Sequence, residues 1–118
     1  MKPNLLNGQL PFSVLHFFQG GVEGSSPYAA VLDTAGDLFG IAINGGNTAC
    51  KSGCGTIFSL QSVASGAWPF TLLYSFTGGN DGSYPNSLIE DTAGNLYGTA
   101  SGGSGGGGVV FELPAALK

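Results

Sequence analysis

The segment at residues 11–21 reads PFSVLHFFQGG, and the segment at residues 69–79 reads PFTLLYSFTGG. These segments begin the two copies of one internal repeat, at an offset of 58 residues. From 11–45 against 69–103, 17 of the 35 aligned positions are identical. After five extra residues in the first copy, the match resumes at an offset of 53, with GTIFSL (55–60) against GVVFEL (108–113). Self-similarity at a fixed period of this length predicts a repeat architecture.

Each copy predicts four β-strands. In the second copy they are Phe70–Phe76, Ser87–Glu90, Asn95–Ala100 and Val109–Leu113. Aromatic and aliphatic residues alternate with period two in the first of these, and Gly-rich segments separate the strands. No stretch combines helical periodicity with caps. We therefore predict an all-β fold of two four-stranded antiparallel repeats that resemble propeller blades, with the first repeat at residues 1–60 and the second at residues 61–118.

A tight turn is predicted between the second and third strands of each copy. The sequence Asp-Thr-Ala-Gly occurs at residues 33–36 and again at residues 91–94. Asp33 and Asp91 stand at the first position, where a carboxylate accepts backbone N–H bonds within the turn. Gly36 and Gly94 stand at the closing position, where φ is positive.

Several spaced motifs resemble the Gloeo/Verruco (GloVer) tandem repeat. They are LYSFTGGNDGSYP (73–85), LIED (88–91), GNLYGT (94–99) and GVVFEL (108–113). The resemblance covers residues 11–60 and 69–113, although His16 replaces a Tyr and Ile41 replaces a Thr of the pattern. It implies a propeller-like, exported bacterial protein of extracellular location, and it implies no particular activity. The family usually has many repeats, whereas this chain has two.

Composition excludes several classes of partner. Only 8% of the residues are charged, the net charge is −4, and Lys and Arg together number three. Nucleic-acid binding and basic-patch membrane binding both need more positive charge than this. No apolar stretch is long enough for a signal peptide or a membrane span, so no membrane insertion is predicted.

Two repeats of this kind leave sheet faces and strand edges uncovered. A propeller needs about four to eight blades, and repeat units bury their apolar faces only against neighbours. We therefore expect the fold to be completed by self-assembly with other copies, as a ring or as a filament. The first ten and the last five residues are candidates for strands exchanged between subunits.

Cys50 and Cys54 are the only cysteines, and both lie inside the five-residue insertion of the first copy. A disulfide that closes a short loop is the favoured interpretation, with free thiols and a metal site as alternatives. A disulfide would indicate an oxidising, extracellular compartment.

Candidate catalytic groups are few. His16 is the only histidine, and Tyr74 takes its place in the second copy, which favours a packing role. Residues 45–52 only approach a phosphate-binding loop, because Cys50 stands where that loop needs a Gly. Asn80 and Asp81 are weighed as a calcium site against a solvated loop. We predict no catalytic residues, no cofactor and no metal, and hence a protein that is not an enzyme.

Tyr28, Trp68 and Tyr84 have no aromatic counterpart in the other copy. Together with Asn80 and Asp81, they are candidates for contact with a ligand or with another subunit. The predicted function is a structural repeat protein that self-assembles outside the cell. The alternative is a multivalent carbohydrate-binding propeller, with glycans as partners.

Overall fold

The computed structural model describes residues 12–118, which form β-strands and two single 3-10 turns, at Gly21–Glu23 and Ala115–Leu117. The strands are β1 (Ser25–Leu32), β2 (Leu38–Asn44), β3 (Thr56–Leu60), β4 (Phe70–Ser75), β5 (Ser83–Glu90), β6 (Leu96–Ser101) and β7 (Val109–Leu113). All paired strands are antiparallel, so the all-β prediction is confirmed. Within residues 12–118, no helix is long and apolar enough to cross a membrane.

The strands form two open sheets of unequal size. The first sheet has the order β1-β2-β3-β4, and the second has the order β5-β6-β7. β4 starts the second sequence repeat, but it pairs with β3 of the first repeat, with Phe70 opposite Leu60. The two predicted four-stranded repeats therefore form one sheet of four strands and one of three, because the first strand of the second repeat completes the sheet of the first.

Residues 12–18, called here the leading segment, were expected to be the first strand of the first copy. They align with residues 70–76, which include β4. In the structure the leading segment is assigned to no strand. The other predicted strands of the second copy are present within a residue or two, except that β5 starts four residues early, at Ser83.

Each of the two Asp-Thr-Ala-Gly turns is closed by the side chain of its aspartate. Asp33 Oδ1 accepts the N–H groups of Ala35 and Asp37 at 3.0 and 2.9 Å. Asp91 Oδ1 makes the equivalent bonds in the second copy, both at 2.9 Å. Gly36 and Gly94 have φ of +89° and +88°, a conformation that disfavours residues with a Cβ.

A phenylalanine ring covers a glycine at the centre of each sheet. Gly40 lies opposite Phe58 in the first sheet, and Gly98 lies opposite Phe111 in the second. A Cβ on Gly98 would lie 2.4 Å from the Phe111 ring, so only glycine leaves room for that ring. Each sheet therefore has one glycine–phenylalanine pair that fixes the position of an aromatic ring.

The core lies between the two sheets and draws side chains from both. Its buried members are Phe39, Ile41, Cys54, Ile57, Phe76, Leu88, Leu96, Ala100 and Leu113. Burying these side chains is the main source of stability for two sheets that would be marginal alone.

Candidate assembly site

The leading segment packs against the face of the first sheet that points away from the second sheet. The Phe18 ring lies 4.9 Å from the Phe58 ring, centroid to centroid. Ile57 precedes Phe58 in β3, so its side chain points to the opposite face. Ile57 belongs to the core between the sheets. The first sheet therefore separates the leading segment from the second sheet.

The two copies place their first-strand aromatic residues in the same way. His16 and Phe18 meet edge to face, with centroids 4.7 Å apart and an interplanar angle of 86°. Their counterparts Tyr74 and Phe76 meet at 5.1 Å and 88°.

The packing of these aromatic residues on the following sheet is also repeated. Phe18 meets Phe58 at 4.9 Å and 65°, and Phe76 meets Phe111 at 5.2 Å and 69°. The leading segment is therefore positioned on the first sheet as β4 is positioned on the second sheet. β4, however, also pairs with β3, whereas the leading segment is in no sheet within the described chain.

An acidic residue fixes the loop after each of these segments. The Tyr74 hydroxyl donates to Asp81 Oδ2 at 2.5 Å, and Thr77 donates to Asp81 through its N–H and its hydroxyl. In the first copy, His16 Nε2 lies 3.1 Å from Glu23 Oε1, which also accepts the N–H of Gln19.

These contacts shift the pKa values of the groups involved. Burial raises the pKa of Asp81, but the hydrogen bonds from Thr77 and Tyr74 outweigh it, so the pKa lies below its usual value. The bond to Asp81 raises the pKa of Tyr74 to about 12. The backbone N–H of Gln19 and then His16 hold the pKa of Glu23 below its usual value. The acids are therefore ionised acceptors at neutral pH, and their role here is to hold loops.

The second sheet has an open edge at β7. Within residues 12–118, β7 pairs with β6 on one side only, whereas its counterpart β3 pairs on both sides. Val110 on β7 is 80% exposed, whereas its counterpart Ile57 on β3 is 1% exposed. The second sheet thus leaves uncovered a position that is fully buried in the first.

An apolar groove of about 430 Å³ runs along this open edge. Among its lining residues are Tyr74, Phe76, Phe111, Leu113 and Leu117. We call it the edge groove. In the first sheet the equivalent space contains the side chain of Phe70, which stacks on His16 at 4.5 Å and on Phe58 at 5.7 Å.

The residues that the sequence suggested for ligand or subunit contact lie in different places. Asn80 and Asp81 line the edge groove, and Asn80 Oδ1 accepts a hydrogen bond from Ser104. Tyr84 is partly buried, and its hydroxyl donates to the carbonyl of Lys51 at 2.9 Å. Trp68 is partly buried in the β3–β4 connection, and Tyr28 on β1 is 54% exposed.

The carboxylate of Asp81 is occupied by protein donors on both oxygens. In the part of the chain that the structure describes, no group of three or more His, Cys, Asp and Glu side chains could hold a metal ion.

Cys50 and Cys54 form a disulfide. Cys54 is fully buried in the core, and Gly78 packs on the bridge: a Cβ there would lie 2.7 Å from Cys50 Sγ. The Cys54 carbonyl accepts the N–H of Tyr84 at 2.7 Å. The bridged loop of the first repeat is therefore part of the junction with the β4–β5 loop of the second.

The last five residues do not have the extended form of an exchanged strand. Ala115–Leu117 form a 3-10 turn, and Lys118 Nζ binds Glu90 Oε2 at 2.7 Å within the same chain. The first ten residues, also suggested for strand exchange, lie outside the described residues.

Two open antiparallel sheets, built from two copies of one sequence unit, define an all-β repeat protein. The family model of the Gloeobacter/Verrucomicrobia repeat matches residues 4–118. The chain belongs to this family, which confirms the resemblance seen in its motifs. No curated protein and no solved structure matches the sequence significantly.

Proposed function

We propose that this protein is a non-enzymatic structural subunit that joins other copies of itself head to tail, outside the cell, into a filament or a propeller-like ring. One observation carries the proposal: within residues 12–118, the second sheet has no strand on the outer side of β7, and the leading segment, on the far face of the first sheet, is in no strand. The two ends are complementary in kind, because one lacks a strand and the other offers one. An unpaired regular edge is the usual site of strand addition between chains.

Such a contact joins different surfaces of the two partners. Contacts of this type close into a ring when the rotation per copy divides a full turn, and otherwise they extend into a filament. Rings of about four to eight sheets are the range for propellers, so a closed ring would contain about two to four copies.

The surface composition supports association. Only 8% of the residues are charged, so little repulsion keeps copies apart. Ile89 and Val110 are 64% and 80% exposed, and the strand registers place both on the same face of the second sheet. The face of the first sheet with the equivalent residues is buried in the core. The Cys50–Cys54 disulfide supports an extracellular location.

Light scattering combined with negative-stain electron microscopy tests the proposal. The wild-type chain is expected to form regular filaments or rings of defined mass. Val110→Lys is expected to abolish them, because the charge would be buried at the contact. Tyr28→Lys is a control, since Tyr28 is 54% exposed and lies on β1, at the edge of the first sheet opposite β4. A wild-type chain that stays monomeric at micromolar to millimolar concentration would refute the proposal.

Carbohydrate binding is the second candidate, and the exposure of Tyr28 favours it. Its ring offers a free face of the kind that stacks on sugars, and an assembly would repeat it once per copy. Binding on a glycan array that is lost in Tyr28→Ala and retained in Trp68→Ala would support this role. If the assembled wild type bound no glycan on the array, carbohydrate binding would be excluded as a function.

A further inference from the structure

From the repeated geometry we infer that the leading segment of a second copy becomes the fourth strand of the second sheet, with its Phe12 side chain in the edge groove. This inference rests on the proposed function, since it requires that copies associate head to tail. It adds the identity of the donor strand, the residue that fills the groove and the register of the pairing.

The first sheet contains a complete version of the arrangement. Phe70 stacks on His16 at 4.5 Å with an interplanar angle of 15°, and on Phe58 at 5.7 Å and 21°. It also meets Phe18 edge to face at 5.8 Å. Four aromatic rings thus close the space between the leading segment, β3 and β4.

Three of the four rings have counterparts around the second sheet. Tyr74, Phe76 and Phe111 take the places of His16, Phe18 and Phe58, with closely similar ring angles. The place of the fourth ring is the edge groove, which both Tyr74 and Phe111 line. Phe12 is the sequence counterpart of Phe70, and it is 71% exposed. A second copy therefore carries the ring that fits this position.

The donor cannot be the chain's own leading segment. That segment lies on the far face of the first sheet, as the contact between Phe18 and Phe58 shows. The edge groove lies on the near side, next to Ile57. A segment that stays packed on its own first sheet reaches only the β7 edge of another copy, and the contact then continues from copy to copy.

The pairing of β4 with β3 gives the register of the donated strand. In the first sheet, Phe70 lies opposite Leu60, Thr71 opposite Ser59 and Tyr74 opposite Ile57. With the repeat offsets of 58 and 53, the same pairs become Phe12 with Leu113, Ser13 with Glu112 and His16 with Val110. Leu73 is skipped in the bulge of β4, so Leu15 of the donor is skipped at the equivalent point.

The chemistry of the two partners suits this pairing. Residues 12–18 read FSVLHFF and contain no Lys, Arg, Asp or Glu. β7 contributes one acid, Glu112, and the register sets it opposite the small polar Ser13 instead of an apolar side chain. Phe17 and Val14, which are 75% and 50% exposed, would be covered together with Val109 and Phe111. The backbone N–H and C=O groups of the leading segment and those on the outer side of β7 would then hydrogen-bond to each other.

Site-specific disulfide formation tests the register. Chains with Ser13→Cys are mixed with chains with Glu112→Cys and oxidised mildly, with the native Cys50–Cys54 bridge retained. A covalent dimer is expected only in the mixture, because neither position faces itself in a head-to-tail contact. The control mixture replaces Glu112→Cys with Val110→Cys, two residues along the same face. Equal or stronger linking in the control mixture would overturn the register.

A pair of serine variants tests the occupant of the groove. Phe12→Ser removes the ring that fills the groove, and it is expected to weaken assembly by at least about tenfold. Tyr28→Ser removes an exposed ring from β1, at the edge of the first sheet opposite β4, and it is expected to change assembly by less than about threefold. Melting temperatures should stay unchanged in both, since both rings are exposed within one chain.

The two proposals fail in different ways. Assembly of the wild type that is unaffected by Phe12→Ser would overturn the present inference and leave the proposed function standing. A wild type that never assembles would overturn both.

Discussion

The Tyr74 hydroxyl donates a hydrogen bond to Asp81 across the β4–β5 loop, and His16 contacts Glu23 at the same spacing one repeat earlier. Each donor lies seven residues before its acid. The acid in turn accepts a backbone N–H from the residue four positions before it. The two loops therefore hold their aromatic or imidazole ring in the same orientation, and that orientation forms one wall of the edge groove in the second copy.

Stability should fall at alkaline pH because of this contact. Tyr74 ionises near 10 when unfolded, and its pKa is raised to about 12 in the folded chain. The neutral phenol is thus favoured by folding, so its contribution is complete below pH 10 and is lost as the pH rises from 10 to about 12. The urea midpoint should decrease over that range.

Tyr74→Phe should flatten this decrease, whereas Tyr28→Phe, a change at a phenol on β1, should leave it as it is. The bond from Tyr97 to Asp91 also raises the pKa of Tyr97. Ionisation of Tyr97 therefore adds its own loss of stability at alkaline pH, and both variants retain it. An alkaline profile identical in wild type and Tyr74→Phe would contradict the assigned contact.

Gly94→Val should destabilise the fold by about 2 kcal/mol, because valine is strained at positive φ. The φ of Gly94 is +88°, and a Cβ there would lie 3.3 Å from the Cβ of Ala115. Thermal denaturation measures the effect, and Gly36→Val should act in the same direction. Gly105→Val is the control: a Cβ there would meet nothing within 4 Å, and its φ is not positive. Equal melting temperatures for Gly94→Val and Gly105→Val would show that the turn tolerates a side chain.

Removal of the disulfide should cost about 2 kcal/mol of unfolding free energy, the magnitude that chain entropy predicts for so short a loop. The variant is Cys50→Ala with Cys54→Ala, studied by urea denaturation. Loss of packing on Gly78 and in the core adds to the entropic effect, because Cys54 is fully buried. Reductant should destabilise the wild type and leave the double variant unchanged. A wild type insensitive to reductant would mean that the bridged loop contributes nothing to the junction between the sheets.

Lys118→Met should lower stability by about 1 kcal/mol, as expected for a partly buried ion pair with a cation–π contact. Lys118 Nζ lies 2.7 Å from Glu90 Oε2 and 4.3 Å from the centre of the Phe39 ring. Lys51→Met, at an exposed lysine, is the control and should have little effect. The difference between the two variants should shrink in 1 M salt, where charge interactions are screened.

The strands and turns of this protein could be predicted from local pattern, because alternation and the Asp-Thr-Ala-Gly turn depend on neighbouring residues. The division into sheets could not. A periodic sequence can be divided at any point within its period, and only the pairing of Phe70 with Leu60 shows that the sheet ends after β4. The early start of β5 was also missed, since Tyr84 has a positive φ of 52° that its residue type disfavours.

The edge groove was likewise beyond prediction from the sequence alone. The similarity of Phe12 to Phe70 is visible in the sequence, and by itself it predicts the same surroundings for both rings. Phe12 is 71% exposed, whereas Phe70 is partly buried among three rings, because β4 pairs with β3 and the leading segment is in no strand.

Repeats and sheets are out of phase in this protein, because β4 begins one repeat and completes the sheet of the other. Duplication or loss of a whole repeat would leave the two ends of the folded unit unchanged. A unit of any length would still offer a strand at one end and lack a strand at the other. If the ends join as proposed, products of different repeat number would be interchangeable building blocks, and the size of the assembly would be independent of the length of the gene.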